Sequence, residues 1–168
     1  PLESVKYSLN DIGLKLTILP KYKKTIDIFA NLKHTDRAIY EKAINYAREH
    51  DFDDAIVLNE DGTIADASIY NIFIVKDGLI YTPTLADAPV AGVLRELLLT
   101  RLTDIKIIEK SISIVDIYQA DEVFLTNAIR GIRWVESVDE KLYVNTITKQ
   151  VFSAFKDVVV EHFGEHLV

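Results

Sequence analysis

Apolar and polar positions along this chain alternate in short bursts, and four stretches switch to helical spacing. Leu14–Leu19 alternates well enough for a strand, which Pro20 is expected to end because its nitrogen carries no proton for a ladder. Residues 21–33 read as an irregular approach. From Thr35 to His50 the apolar positions Ile39, Ala43, Tyr46 and Ala47 recur at helical spacing, and Thr35 or Asp36 can cap the start. Asp54–Asn59 then reads as a strand, Glu60-Asp61-Gly62 as a hairpin turn that needs positive φ, and Thr63–Asp66 as the return. A second hairpin follows, with Tyr70–Lys76 and Leu79–Thr82 joined at Asp77-Gly78. Gly92 opens a helix that carries Leu94, Leu97, Leu98 and Leu102 on one side. Ile105–Glu109 is predicted as a strand, Ile114–Gln119 as a short helix and Glu122–Asn127 as a buried strand. Ile132–Val138 and Leu142–Val144 form a closing hairpin, and Asn145 caps a last helix through Ile147, Val151, Phe155, Val158 and Val159. Hairpins alternating with single helices predict one mixed α/β (α+β) domain.

Composition narrows the function more than the fold. With 168 residues, 49% of them hydrophobic, one sizeable core is within reach. A net charge of −7 with scattered lysines disfavours nucleic acid as the main partner, since phosphate neutralisation needs a basic face. The one cluster, Lys21, Lys23 and Lys24, reads as a solvated loop. No cysteine is present, so disulfides, thiolate metal sites and a cysteine nucleophile are excluded. The four histidines are too dispersed for a metal site, and His162 and His166 read as part of a frayed, solvated terminus. No run is long enough for a membrane span and no signal peptide is visible, so a soluble cytoplasmic protein is expected.

Four features stand out chemically. Lys33 sits in Asn31–Arg37 where a polar stretch meets a helical pattern. Asp66 lies among small residues (Ala65, Ala67, Ser68), which leave room for a flat ring to approach backbone. Gly92 precedes a helix whose first amides, including those of Val93 and Leu94, are free to hold an anion. Thr126-Asn127-Ala128 ends a strand on short side chains. Taken singly, each has a plainer reading: a surface lysine, a surface turn, a helix entry, a strand end. A lysine, a carboxylate and a helix mouth are together what pyridoxal phosphate requires.

In this order the phrases resemble the class IV pyridoxal-phosphate enzymes, which include branched-chain aminotransferase, D-amino-acid transaminase and aminodeoxychorismate lyase. The matching phrases are Lys33-His34-Thr35-Asp36-Arg37, Asp54–Asn59 with Asp61-Gly62, and Asn71-Ile72-Phe73 with Asp77-Gly78 and Tyr81-Thr82-Pro83. Gly92-Val93-Leu94-Arg95, Ala120–Phe124 and Trp134-Val135 complete the set, over roughly residues 28–143. The resemblance implies the large C-terminal domain of the D-amino-acid aminotransferase-like fold, a mixed sheet or pseudo-barrel with flanking helices. It implies that Lys33, buried and with a depressed pKa, carries the cofactor covalently and shuttles a proton at the substrate α-carbon. Asp66 falls where relatives usually have a glutamate beneath the ring nitrogen. The Val93 and Leu94 amides would hold the phosphate, with Gly92, Asn127 and Ala128 beside it, and Arg37 and Asn71 join the cofactor-binding set. Leu94 replaces a threonine of many relatives, and the tyrosine that they place near Arg37 is missing, since Ala38 stands there.

The Lys33–Arg37 phrase and the Asn127-Ala128 pair look closer to the lyase branch, which converts aminodeoxychorismate to 4-aminobenzoate and pyruvate. A branched-chain or D-amino-acid transaminase is the alternative, and a truncated or degenerate domain kept for assembly is a third. The family implies a homodimer acting on a small amino or oxo acid. It also has a smaller N-terminal domain without counterpart here. With no methionine and an opening at Pro1-Leu2-Glu3, the expectation is the cofactor domain of a longer protein, with little turnover of its own.

Overall fold

The computed structural model describes residues 6–33 and 38–164. Its strands are β1 (Leu14–Lys24), β2 (Asp54–Asn59), β3 (Ile64–Ala67), β4 (Asn71–Lys76), β5 (Leu79–Thr82), β6 (Ile107–Glu109), β7 (Glu122–Asn127), β8 (Gly131–Val138) and β9 (Lys141–Leu142). The helices are α1 (Ala38–Glu49), α2 (Val93–Arg101), α3 (Ile114–Gln119) and α4 (Thr146–Phe163), with a single 3-10 turn at Leu85–Asp87. All strands belong to one mixed sheet in the order β3-β2-β1-β8-β7-β4-β5-β6, with β9 paired to β8. The pairs β1–β2, β1–β8 and β5–β6 are parallel, and the remaining pairs are antiparallel.

Alternate residues of each strand go to different cores, as the period of two demands. Ile56 and Leu58 of β2, Ile72 and Ile74 of β4, and Val123 and Leu125 of β7 point inward to one cluster with Leu16, Val135 and Val138. Their neighbours Phe73, Val75 and Phe124 point outward to Leu94 and Leu98 of α2 and Val151 and Phe155 of α4. On the other flank Ala55 and Val57 pack against Ala43 and Ala47 of α1. A sheet with a filled inner face is a pseudo-barrel, as expected. Its two ends meet where the Ile64 amide donates to the Ile112 carbonyl at 2.8 Å.

Asp87 clamps the same seam. Its carboxylate accepts from the hydroxyls of Thr63 (2.8 Å), Thr84 (2.7 Å) and Ser111 (2.8 Å), drawing the β2–β3 turn and the end of β6 together. Burial pushes this carboxyl up, but the hydroxyls of Thr84, Ser111 and Thr63 and the Thr84 amide outweigh it, so it ends below the ordinary carboxylate range. An unfolded aspartate takes its proton near pH ~3.9. Between that value and the lower folded one, the unfolded chain holds more protons, so stability falls as pH drops through this window. Urea titrations from pH 5 down to 2.5 are expected to show this loss, and Asp87→Asn to flatten it.

Several boundaries differ from the sequence reading: β6 starts at Ile107 rather than Ile105, β9 is Lys141–Leu142 rather than Leu142–Val144, and two further differences have an identifiable cause. Pro20 does not end β1, which runs on to Lys24. The β1–β2 register shifts between Ile18 and Lys23, and Lys21 has a φ of +67°, so the proline sits in an irregularity that needs no ladder proton. Asn145 stands at the N-cap of α4 but makes no side-chain cap. Glu122 of β7 takes that role from a distance, accepting from the Ile147 and Thr148 amides at 2.7 and 2.8 Å. The proposed caps Thr35 and Asp36 lie outside the described residues. His162 belongs to α4, which continues to Phe163.

Candidate active site

Besides the start of α1, with Ile39 and Tyr40, three segments meet at one open cavity of about 760 Å³. The first comprises the end of β1 and the bend that follows it. The second is the β3–β4 connection, which brings Asp66 and Asn71. The third joins the loop before α2 to the end of β7. Asn31 ties the first to the third: its side-chain amide donates to the carbonyls of Leu85 (2.9 Å) and Pro89 (2.6 Å), and its own carbonyl accepts from the Ala91 amide at 2.8 Å. Lys33, two residues on, lines the same cavity as Gly92, Val93 and Leu94 at the start of α2.

Lys33, Asp66, Asn71, Gly92, Val93, Leu94, Asn127 and Ala128 all line this cavity. Arg37 lies outside the described residues. The roles within the cavity differ from the sequence reading in several places. Lys33 is exposed rather than buried. The buried amine is Lys24, which the sequence reading placed in a solvated loop. Lys24 is 7% exposed at the end of β1, and its Nζ lies 3.4 Å from Asp66 Oδ2. Burial lowers its pKa, against the opposing pull of Asp66.

Asp66 is itself buried at 2% exposure. Its Oδ2 accepts from the Tyr40 hydroxyl (2.8 Å), the Val90 amide (2.9 Å) and Lys24, and its Oδ1 accepts from the Asn71 side-chain amide (2.9 Å). Burial pushes the carboxyl up, and Lys24, the Val90 amide and the Tyr40 hydroxyl pull against it. Asn71 also donates to the Val90 carbonyl at 2.7 Å, so it positions Asp66 and the loop before α2 together. A β-carbon at Gly92 would overlap Asn71 Oδ1. Gly92→Ala should therefore turn Asn71 away from Asp66 and Val90 and cost about 1–3 kcal/mol, read by urea unfolding.

The opposite end of the cavity suits an anion. Gly92 has no side chain to cap α2, so the first amides of that helix face the cavity without an intrahelical acceptor. The Thr126 hydroxyl is buried with no partner. Arg130 also lines the cavity, its guanidinium 3.2 Å from the Tyr70 hydroxyl. Asn127 is committed elsewhere: it donates to the Ile69 carbonyl at 2.5 Å and accepts from the Ile129 amide at 2.8 Å. Its side chain therefore staples the loop, leaving Thr126 as the available hydroxyl. An orphaned hydroxyl, uncapped amides, a nearby exposed lysine and a carboxylate at the far end fit pyridoxal phosphate. Sequence reasoning missed Lys24 and Tyr40. Their one signal was that a buried Asp66 requires a counter-charge.

The amino-transferase class IV family model matches residues 3–138. The chain belongs to this family. It is 26% identical over 160 residues to a putative branched-chain-amino-acid aminotransferase of Methanocaldococcus jannaschii, covering 89% of this chain and 54% of that protein. Among solved structures, a putative 4-amino-4-deoxychorismate lyase from Legionella pneumophila superposes with a TM-score of 0.82 at 24% identity, covering 90% of this chain and 58% of that one. The PLP-bound holo-form of a branched-chain aminotransferase from Thermobaculum terrenum gives 0.81 at 19% identity, covering 93% and 54%. The class IV chain thus spans about half the length of the curated relatives it matches. Among its described residues no helix is long and apolar enough to cross a membrane.

Proposed function

We propose that these residues form the cofactor-binding domain of a pyridoxal-phosphate-dependent enzyme that acts at the α-carbon of a small amino acid, of the aminodeoxychorismate lyase kind. The observation that carries this is the convergence of Lys33, Asp66 and the open amides of α2 on one cavity. Bound there, pyridoxal phosphate supplies an electron sink for charge released at the substrate α-carbon. The Val93 and Leu94 amides and the Thr126 hydroxyl hold the phosphate. Lys33 anchors the cofactor through its amine and afterwards moves the proton at the α-carbon. Asp66, fixed by Asn71 and the Val90 amide, sets the charge at the ring-nitrogen end.

Transamination of a branched-chain or D-amino acid is the second reading, supported by the curated aminotransferase relatives. Both chemistries begin with the same proton removal and differ in whether a group leaves from the β-side. The proposed working state is a homodimer. Exposed apolar side chains around the cavity mouth, Leu32 (57%), Val93 (76%) and Ile129 (69%), support a mouth covered by further protein.

Titration with pyridoxal phosphate tests the cofactor reading. A saturable visible absorbance band is expected, and its absence at excess cofactor sinks the proposal. Assays of the longer protein for pyruvate release from aminodeoxychorismate, against amino transfer to a 2-oxo acid, decide between the two branches.

A further inference from the structure

The turn from β7 to β8 lines the cavity with Asn127, Ala128, Ile129 and Arg130. Three contacts hold it. The Asn127 side chain donates to the Ile69 carbonyl at 2.5 Å, the Tyr7 hydroxyl donates to the Ala128 carbonyl at 2.6 Å, and Asn127 pairs with Gly131 across the strand ends. Gly131 has a φ of +71°, and a β-carbon there would run into the Tyr7 ring. The backbone donors of the turn are spent within it. The Ile129 and Arg130 amides both donate to Asn127 Oδ1, at 2.8 and 3.3 Å. What this wall offers to a ligand is therefore the Arg130 guanidinium.

Most of that guanidinium is uncommitted. It carries five N–H donors in a rigid fork, and among the described residues its one hydrogen bond goes to the Tyr70 hydroxyl at 3.2 Å. No carboxylate among the described residues lies within ion-pair distance of it. Asp54, the carboxylate that its charge reaches, is buried and accepts from the Ala55 and Ser68 amides instead. Three other cations of the cavity are engaged. Lys24 bonds to Asp66 and Tyr40, Lys23 donates to the Glu60 carbonyl at 3.1 Å, and Lys42 lies 4.1 Å over the Tyr22 ring. The phosphate has its own donors in α2 and Thr126, whereas Tyr70 tethers Arg130 to the β3–β4 connection. A planar fork matches a carboxylate through two parallel bonds, which an ammonium does not do. We propose that Arg130 receives a carboxylate of the substrate, carried on the α-carbon or on the side chain, and so selects for amines that bear one. This rests on the cofactor reading above.

The test titrates the protein, loaded with pyridoxal phosphate, with three amines and reads the shift of the visible band. Leucine, in either hand, has only an α-carboxylate, 4-aminobutyrate has only a distal one, and 3-methylbutylamine has none. Arg130→Gln is expected to raise the half-saturating concentration of at least one carboxylate ligand by about 10- to 100-fold. The value for 3-methylbutylamine should not move, and Arg130→Lys should fall between. Arg130 is exposed, so neither variant opens the core. A loss for leucine places the α-carboxylate on Arg130, and a loss for 4-aminobutyrate places a side-chain carboxylate there. Equal losses for all three ligands, or no loss for any, overturn the proposal. A weaker hold on pyridoxal phosphate itself, with the carboxylate ligands unaffected, makes Arg130 a phosphate ligand and overturns it too. A band that none of the three amines moves in the unmodified protein does the same and leaves the cofactor reading standing. No band at all removes that reading and this one with it.

Discussion

Lys33→Ala is expected to abolish the visible absorbance band of the cofactor-loaded chain and, in the longer protein, to remove activity. Loss of a positioned general base alone costs about 10²–10⁴-fold, and loss of the covalent anchor adds to it. The structure makes this a discriminating experiment because two of the lysines that line the cavity have opposite character. Lys33 is exposed at the bend tied down by Asn31, and lines the cavity with the first residues of α2. Lys24 is buried against Asp66, at the other end. Lys24 is already bonded to Tyr40 and Asp66, so Lys33 would be the amine left to hold the cofactor covalently. Lys24→Met should therefore retain a band, with altered position, where Lys33→Ala does not. Borohydride reduction followed by peptide mapping should place the label on Lys33. A label on Lys24 would reverse the assignment of the two amines.

Glu122→Ala should be the most destabilising polar substitution in the fold, at about 3–5 kcal/mol by urea denaturation. Glu122 is 2% exposed, and its carboxylate accepts from the Ile147 amide, the Thr148 amide and the Thr148 hydroxyl at 2.7, 2.8 and 2.7 Å. Truncation leaves the Thr148 donors buried and unpaired, at roughly 1–3 kcal/mol for each such group. It also removes a negative charge from the N-terminus of α4, which adds about 0.3–1 kcal/mol. Since α4 covers Phe73 and Phe124 through Val151 and Phe155, its first turn is coupled to the outer core. Glu122→Gln keeps the shape and one acceptor and should lose about half as much. A surface change such as Glu161→Ala, far from any core contact, should leave the midpoint unmoved.

Much of the fold was legible because the local rules agreed with the tertiary outcome. Asp54–Asn59 and Glu122–Asn127 are strands between the residues that the pattern predicts, and Ile114–Gln119 is a helix between the same limits. The turn at Asp77-Gly78 has the positive φ values that its residues anticipate. The failures fall where a distant group replaces a local one. Pro20 reads as a stop, yet β1 passes through it because a register shift absorbs the missing proton. Asn145 reads as a cap, yet Glu122 supplies the acceptor from 25 residues away.

The site divides along the same line. Order and residue type along the chain determined the family, the fold and the group of residues that line the cavity, because those depend on short phrases with intrinsic backbone demands. Which lysine is buried was decided only by the tertiary structure. Lys21, Lys23 and Lys24 are equivalent on paper, and a solvated loop is the natural reading for all of them. The continuation of β1 past Pro20 carries Lys24 inward, and Asp66, some forty residues on, compensates the charge there. Burial of a charge is a property of what surrounds it, and that is assembled from β1, α1 and the β3–β4 connection at once. The same holds for Asn127, whose amide is consumed by Ile69 across the cavity wall, leaving the hydroxyl of Thr126 to face a ligand.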